Sequence, residues 1–180
     1  MAQYHVRTHS VPVRHLAVVQ RRLKWSELGS NLLRLLDRVY VQVRAGRVAQ
    51  SGHNVFVYRD PTKDGVTVEV GIEVPGPFEA KDDVVYSSTP SGEVASTLHI
   101  GPYSDLGGAY DALAKWCNEH DRPRAKTYWE VYGDWNEDPA KLETEVFYLL
   151  QSNENTDFSQ PLGHCGNSNR RVKRSQPESP

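Results

Sequence analysis

Hydrophobic positions along this chain switch between a period of two and a period near 3.6, and the same cycle runs twice. Residues 13–21 (VRHLAVVQR) have the β-branched density of a strand. After Ser26 the apolar residues Leu28, Leu32, Leu35, Leu36, Val39 and Val43 recur at helical spacing, and Gly46 supplies a stop, which predicts a helix over residues 25–45. Residues 54–59 (NVFVYR) and 66–74 (VTVEVGIEV) then read as a hairpin, joined through Asp60, Pro61, Asp64 and Gly65. In its second strand Val66, Val68, Val70, Ile72 and Val74 line one face, and Thr67, Glu69, Gly71 and Glu73 the other. The apolar face is expected to pack on the helix.

Pro75, Gly76 and Pro77 break the pattern, and residues 78–92 are polar and turn-rich, as a connection would be. Residues 93–100 (EVASTLHI) form the next strand. Ser104 or Asp105 can cap a helix whose stripe is Leu106, Tyr110, Leu113 and Cys117, and residues 125–134 and 142–151 form a second hairpin. The order is strand, helix, strand, strand, twice. The letters repeat as well: Trp25-Ser26-Glu27-Leu28-Gly29 matches Tyr103-Ser104-Asp105-Leu106-Gly107, and Val57-Tyr58-Arg59-Asp60 echoes Val131-Tyr132-Gly133-Asp134. The expected fold is α+β, a duplicated β-α-β-β unit of pseudo-twofold symmetry, with an antiparallel sheet, two helices on one face and a cleft between the halves. Residues 1–12 are an extension, 13–151 the domain with halves at about 13–75 and 93–151, and 152–180 a disordered polar tail.

The candidate chemistry lies in the strand Tyr128-Trp129-Glu130-Val131-Tyr132, where Trp129 and Val131 face one way and Tyr128, Glu130 and Tyr132 the other. Taking the valine-rich face of 66–74 as the core face, the first hairpin is expected to turn Val55 and Val57 inward and Phe56 and Tyr58 to the opposite face. Carried to the second hairpin, this puts Glu143, Glu145 and Phe147 beside Glu130. A register centred between Glu137 and Asp138 pairs Glu130 with Glu145, Cβ to Cβ about 5 Å apart. Two carboxylates so placed repel unless solvent is plentiful, one holds a proton or a cation sits between them. Phe56, Tyr58, Tyr132 and Phe147 on that face offer rings to the same cation. The bland alternative is a wet glutamate beside rings that only cover the sheet.

Composition narrows the partners. Charged residues make up 24% and the formal net charge is -2, so nothing general draws the chain to nucleic acid or an anionic membrane. Two cysteines, Cys117 and Cys165, make neither a disulfide framework nor a zinc site, and the histidines offer no metal or haem ligand set. Neither a signal peptide nor a run of membrane-spanning length appears, which predicts a cytoplasmic protein without cofactor or metal. The basic cluster at residues 170–174 reads as solvated.

Leu16-Ala17-Val18-Val19, Trp25-Ser26-Glu27-Leu28, Gly101-Pro102-Tyr103 with Leu106, Ala109, Tyr110 and Leu113, Trp116, Trp129-Glu130-Val131-Tyr132 and Leu142-Glu143-Thr144-Glu145-Val146-Phe147 together resemble the GyrI-like effector-binding domain. The family includes ligand-sensing halves of multidrug-responsive regulators and stand-alone proteins, and the resemblance spans residues 13 to about 150. It implies a pocket between the halves that takes amphipathic, often cationic, compounds, with the usual pocket glutamate falling on Glu130. Only twelve residues precede the first strand, so no DNA-binding region and no direct DNA contact are expected.

Three readings follow. The first is a small-molecule binding protein with Glu130 as counter-ion, Glu145 as its neighbour, and Phe56, Tyr58, Tyr103, Trp116, Tyr132, Phe147 and Trp25 as walls. The second, implied by some stand-alone members of the family, is a hydrolase of strained electrophiles using Glu130, Glu145 and Tyr132. The third is a gyrase-inhibitor type of adaptor with an unidentified protein partner.

Overall fold

The computed structural model describes residues 4–152. Along the chain run β1 (Arg7–Val11), β2 (His15–Lys24), α1 (Leu28–Arg44), β3 (Asn54–Arg59), β4 (Gly65–Glu73) and β5 (Val85–Ser88). The second half adds β6 (Gly92–Ile100), α2 (Gly107–Glu119), β7 (Arg124–Tyr132) and β8 (Glu143–Leu150). Residues 153–180, with the basic cluster at 170–174, lie outside the described residues. No helix among those described is long and apolar enough to cross a membrane.

The eight strands form one antiparallel sheet in the order β1-β6-β8-β7-β3-β4-β2-β5. Each half pairs its hairpin with its own first strand, and the halves meet where β3 runs against β7, with Phe56 opposite Glu130 and Tyr58 opposite Tyr128. Outward from that seam the order is the same on both sides. Two strands go beyond the sequence reading. β1 forms within residues 1–12 and β5 within the connection between halves, and β1 pairs with β6 of the second half while β5 pairs with β2 of the first. Each half thus takes its edge strand from the segment that leads into the other.

The hairpin registers correct the face assignments. In the first hairpin Phe56 pairs with Val70 and Tyr58 with Val68, and paired residues share a face. Phe56 and Tyr58 therefore lie on the valine-rich face, and Val55 and Val57 on the opposite one. In the second, Glu130 pairs with Val146, Val131 with Glu145 and Trp129 with Phe147. The pairing is shifted by one residue, with the turn centred on Asp138 and not between Glu137 and Asp138: a 3₁₀ turn, Pro139–Lys141, is capped by the Asp138 side chain accepting from the Ala140 N–H at 3.1 Å. A slip of one residue sends every side chain to the other face. Glu143, Glu145 and Phe147 thus lie on the opposite side of the sheet from Glu130.

Both helices pack on the Glu130 face. Leu35, Leu36 and Val39 of α1 settle on Val66, Val68, Val70 and Ile72, while Leu106, Ala109, Leu113 and Cys117 settle on Ala95, Val146 and Leu150. The opposite face buries Leu16, Val18, Val55, Val57, Trp129 and Phe147, with Val11 and Val85 of the edge strands packed against them. Trp129 is 1% exposed and stacks on Phe147 with ring centroids 5.1 Å apart. Deleting a ring so placed costs about 3–5 kcal/mol, so this second core fixes the register that aims Glu130 the other way.

Candidate functional site

Between the two helices the β3–β7 seam floors two adjoining cavities. The first, about 530 Å³, is bounded by Trp25 and Leu28 at the start of α1, Tyr110 of α2, Tyr58 of β3, and Tyr128 and Glu130 of β7. The second, about 670 Å³, lies along Leu32, Leu36 and Tyr40 of α1, with Phe56, Tyr103 and Tyr132 opposite. Trp25 and Tyr103 stand at the two entrances for the same local reason. Each opens a 3₁₀ turn, Trp25–Glu27 or Tyr103–Asp105, that leads a strand into a helix. The Trp25 ring is held there by its Nε1–H, which donates to the Thr62 carbonyl at 2.8 Å.

Glu130 is 4% exposed. Its Oε2 accepts hydrogen bonds from the Tyr58 hydroxyl at 2.9 Å and the Tyr132 hydroxyl at 2.6 Å, and its Oε1 accepts from the Tyr110 hydroxyl. Burial pushes the Glu130 carboxyl up from its ordinary range, and the bonds from Tyr110, Tyr132 and Tyr58 offset only part of that. Burial and the Glu130 charge also raise all three tyrosines, so each hydroxyl keeps its proton and remains a donor. None of the groups acting on Glu130 is a cation, and among the described residues none forms a salt bridge with it.

Rings enclose the carboxylate. Tyr58 lies flat against Tyr128, centroids 4.9 Å apart at 9°, and Tyr110 meets Tyr128 edge-on at 5.7 Å. On the other side Tyr132 contacts Phe56 at 4.7 Å and Tyr103 at 5.2 Å. A carboxylate has about four acceptor positions, and three are taken by hydroxyls. What the carboxylate lacks, among the described residues, is a cationic partner bonded to it. Chemically it offers a desolvated anion held by neutral donors and bordered by π faces, which favours a cation with apolar surface.

The structure brings together Glu130, Tyr58 and Tyr132, with Phe56, Tyr103 and Trp25 around them, and separates three other candidates. Glu145 pairs across the opposite face with Arg7 at 2.6 Å and accepts from Ser96 at 3.2 Å. Phe147 stacks on Trp129. Trp116 packs within the α2 cluster and stacks on His120 at 4.3 Å, lining neither cavity. Sequence reasoning also passed over Tyr110, Tyr128 and Tyr148. Tyr128 shares a strand face with Glu130, and Tyr110 is the polar-tipped member of a stripe otherwise made of Leu and Cys; both signals were present. Among the described residues no cluster of three His, Cys, Asp or Glu side chains could hold a metal ion.

The family model for the GyrI-like small molecule binding domain matches residues 7–150, and the chain belongs to that family. No curated protein matches it. Among solved structures, the EcmrR C-terminal domain has the same fold at 17% identity, with a TM-score of 0.71 over 83% of this chain and 99% of that one. SAV2435, solved with tetraphenylphosphonium bound, gives 0.62 at 8% identity, covering 85% of this chain and 98% of that one. A hydrolase from Listeria innocua gives 0.52 at 10% identity, over 81% and 91%.

Proposed function

We propose that this member of the GyrI-like family captures lipophilic, amphipathic cations, with Glu130 as the counter-ion, Tyr58, Tyr110 and Tyr132 fixing its carboxylate, and Phe56, Tyr103, Tyr128 and Trp25 as aromatic walls. One observation carries the reading: Glu130 is buried at a cavity wall among three hydroxyl donors with no cation beside it. A buried charge without an opposite charge is a standing cost to the fold. A ligand that brings the missing charge, and rings to lie against tyrosine faces, removes that cost. Tetraphenylphosphonium, the cation held by SAV2435, belongs to this ligand class.

A second reading, hydrolysis, is favoured by one feature of the same cluster. A raised carboxyl in contact with protonated phenols places an acid and a base within reach of one bound electrophile. The two readings part on turnover. Titrating the purified chain with a fluorescent lipophilic cation should show saturable binding that Glu130→Gln weakens by about 1–3 kcal/mol, with little effect on a neutral analogue of the same shape. Equal binding to both proteins would remove Glu130 from the site. Product accumulating beyond one equivalent, from any strained electrophile, would replace capture with catalysis.

A further inference from the structure

The first cavity carries charges that cation capture leaves unused. Besides Glu130 its walls include Arg124 and Lys126, both exposed and both on β7. Neither has a carboxylate partner among the described residues. The Arg124 guanidinium lies over the Tyr148 ring, 5.0 Å from its centroid, which holds it at the cavity wall. Among the described residues Glu130 is the sole acid lining this cavity. A simple cation entering here therefore passes two like charges to reach one opposite charge.

Resting on the capture reading, we propose that the ligand is a cation bearing its own anionic group. Its positive, apolar end lies at Glu130, and a carboxylate, sulfonate or phosphate at the other end meets Arg124 and Lys126. The spacing suits one molecule. Lys126, Tyr128 and Glu130 alternate along one strand, and four residues of strand span roughly 13 Å. Tyr128 lies between the two charged ends, with Tyr148 beside it, and offers ring surface to an apolar spacer. The second cavity differs in kind: its lining holds neither Arg nor Lys among the described residues, and Asp134 lies 3.8 Å from the His53 ring.

The test uses a matched pair of probes with the full chain: triphenylphosphonium carrying a carboxypentyl chain, and the methyl ester of that compound. Both present the same cation and spacer, and only one presents an anion. Two exposed ion pairs near the middle of their range predict that the acid binds about five- to tenfold tighter than the ester at low salt. Arg124→Gln with Lys126→Gln should abolish the preference by weakening the acid, while the ester, relieved of two like charges, binds at least as tightly as it does to the native chain. That ester affinity doubles as the control for folding. Lys126→Gln alone, at a side chain with no ion pair among the described residues, should lose part of the preference. Equal affinities in the native chain, a tighter ester, or a preference that survives the double substitution would each overturn the proposal while sparing cation capture. Failure of both probes to bind would overturn the two together.

Discussion

Cation capture at Glu130 should be linked to a proton, with a sign that the burial of that group sets. In the empty site the carboxyl is raised by burial, with the bonds from Tyr110, Tyr132 and Tyr58 pulling the other way. A bound cation favours the ionised form, so below the empty-site pKa each ligand must displace a proton. Affinity should then rise with pH, approaching tenfold per unit below that pKa and levelling off above it; each unit between empty and occupied values is worth about 1.4 kcal/mol. Stability of the empty chain should run the opposite way. A carboxyl raised in the folded state binds more proton there than in the unfolded chain. Its contribution is complete below the ordinary glutamate range and is lost as pH climbs through the raised value. The tyrosines, raised as well, stay protonated through that window and add no slope. The assay is cation affinity at fixed ionic strength between about pH 5 and 8, with proton release counted by calorimetry in buffers of different ionisation enthalpy. Glu130→Gln should flatten both curves. A flat affinity profile in the native chain with no proton released, or pH–stability curves that Glu130→Gln leaves unmoved, would refute the linkage.

Tyr110→Phe removes the hydroxyl on Oε1, so cation binding at neutral pH should weaken by about 0.5–1.5 kcal/mol and the midpoint of its pH profile should move up, since a bond that lowers the carboxyl is gone. Glu145→Gln should leave cation affinity unchanged and cost at most about 1 kcal/mol in a denaturant melt, because its pair with Arg7 is half in solvent on the far face; a tenfold loss of affinity would show the register of β7 and β8 to be wrong. Gly71→Ala should destabilise by about 3 kcal/mol or more, since a Cβ there would strike the Ala17 carbonyl oxygen where β4 runs against β2, and an unchanged melting midpoint would contradict that close approach.

The elements were legible in the sequence to the extent that they carry a period. The stripe Leu35, Leu36, Val39 and the alternation of Val66 to Ile72 specify buried faces regardless of context, and both form as read. β1 and β5 escaped because short, mostly half-exposed edge strands bury few side chains and so show little alternation; pairing with β6 and β2 makes them strands. Register was the hard part. Between β7 and β8 the turn contains a 3₁₀ segment, capped by Asp138, that centres it on that residue and shifts the pairing by one residue, enough to move Glu145 and Phe147 off the Glu130 face. In the first hairpin the valine-rich face was correctly read as the helix-covered one, but Phe56 and Tyr58 belong with it because Val55 and Val57 serve the second core beneath the sheet. A one-core picture of the sheet leaves no place for that second buried face. Of the three tyrosines that donate to Glu130, Tyr58 and Tyr132 were legible as site residues, and Tyr110 was missed for a different reason. A tyrosine on a helix stripe looks like core until tertiary structure shows where its hydroxyl goes.

Duplication explains why this seam holds the site. Equivalent letters place Val57 with Val131 and Tyr58 with Tyr132, which makes Phe56 the counterpart of Glu130, and the structure pairs those two across the seam. The pseudo-twofold axis therefore passes through the Phe56–Glu130 pair, midway between helices that the same axis relates. The hydroxyls of Tyr58 and Tyr132, repeat equivalents, converge from either side on one carboxylate oxygen, and Trp25 and Tyr103, equivalents again, guard the two cavities. A strictly symmetric protein would have to set two glutamates face to face on the axis, about 5 Å apart and both buried, where one would be forced to keep its proton. Phenylalanine at position 56 removes that conflict and leaves a single uncompensated charge. Divergence elsewhere breaks the symmetry of the cavities in the same direction. Tyr110 of α2 stands where α1 has Leu32, so the second half completes the donor set for Glu130, while the first half lines its neighbour with leucine. Two copies of one unit thus make the cleft, and the differences between them give it a charge and an orientation.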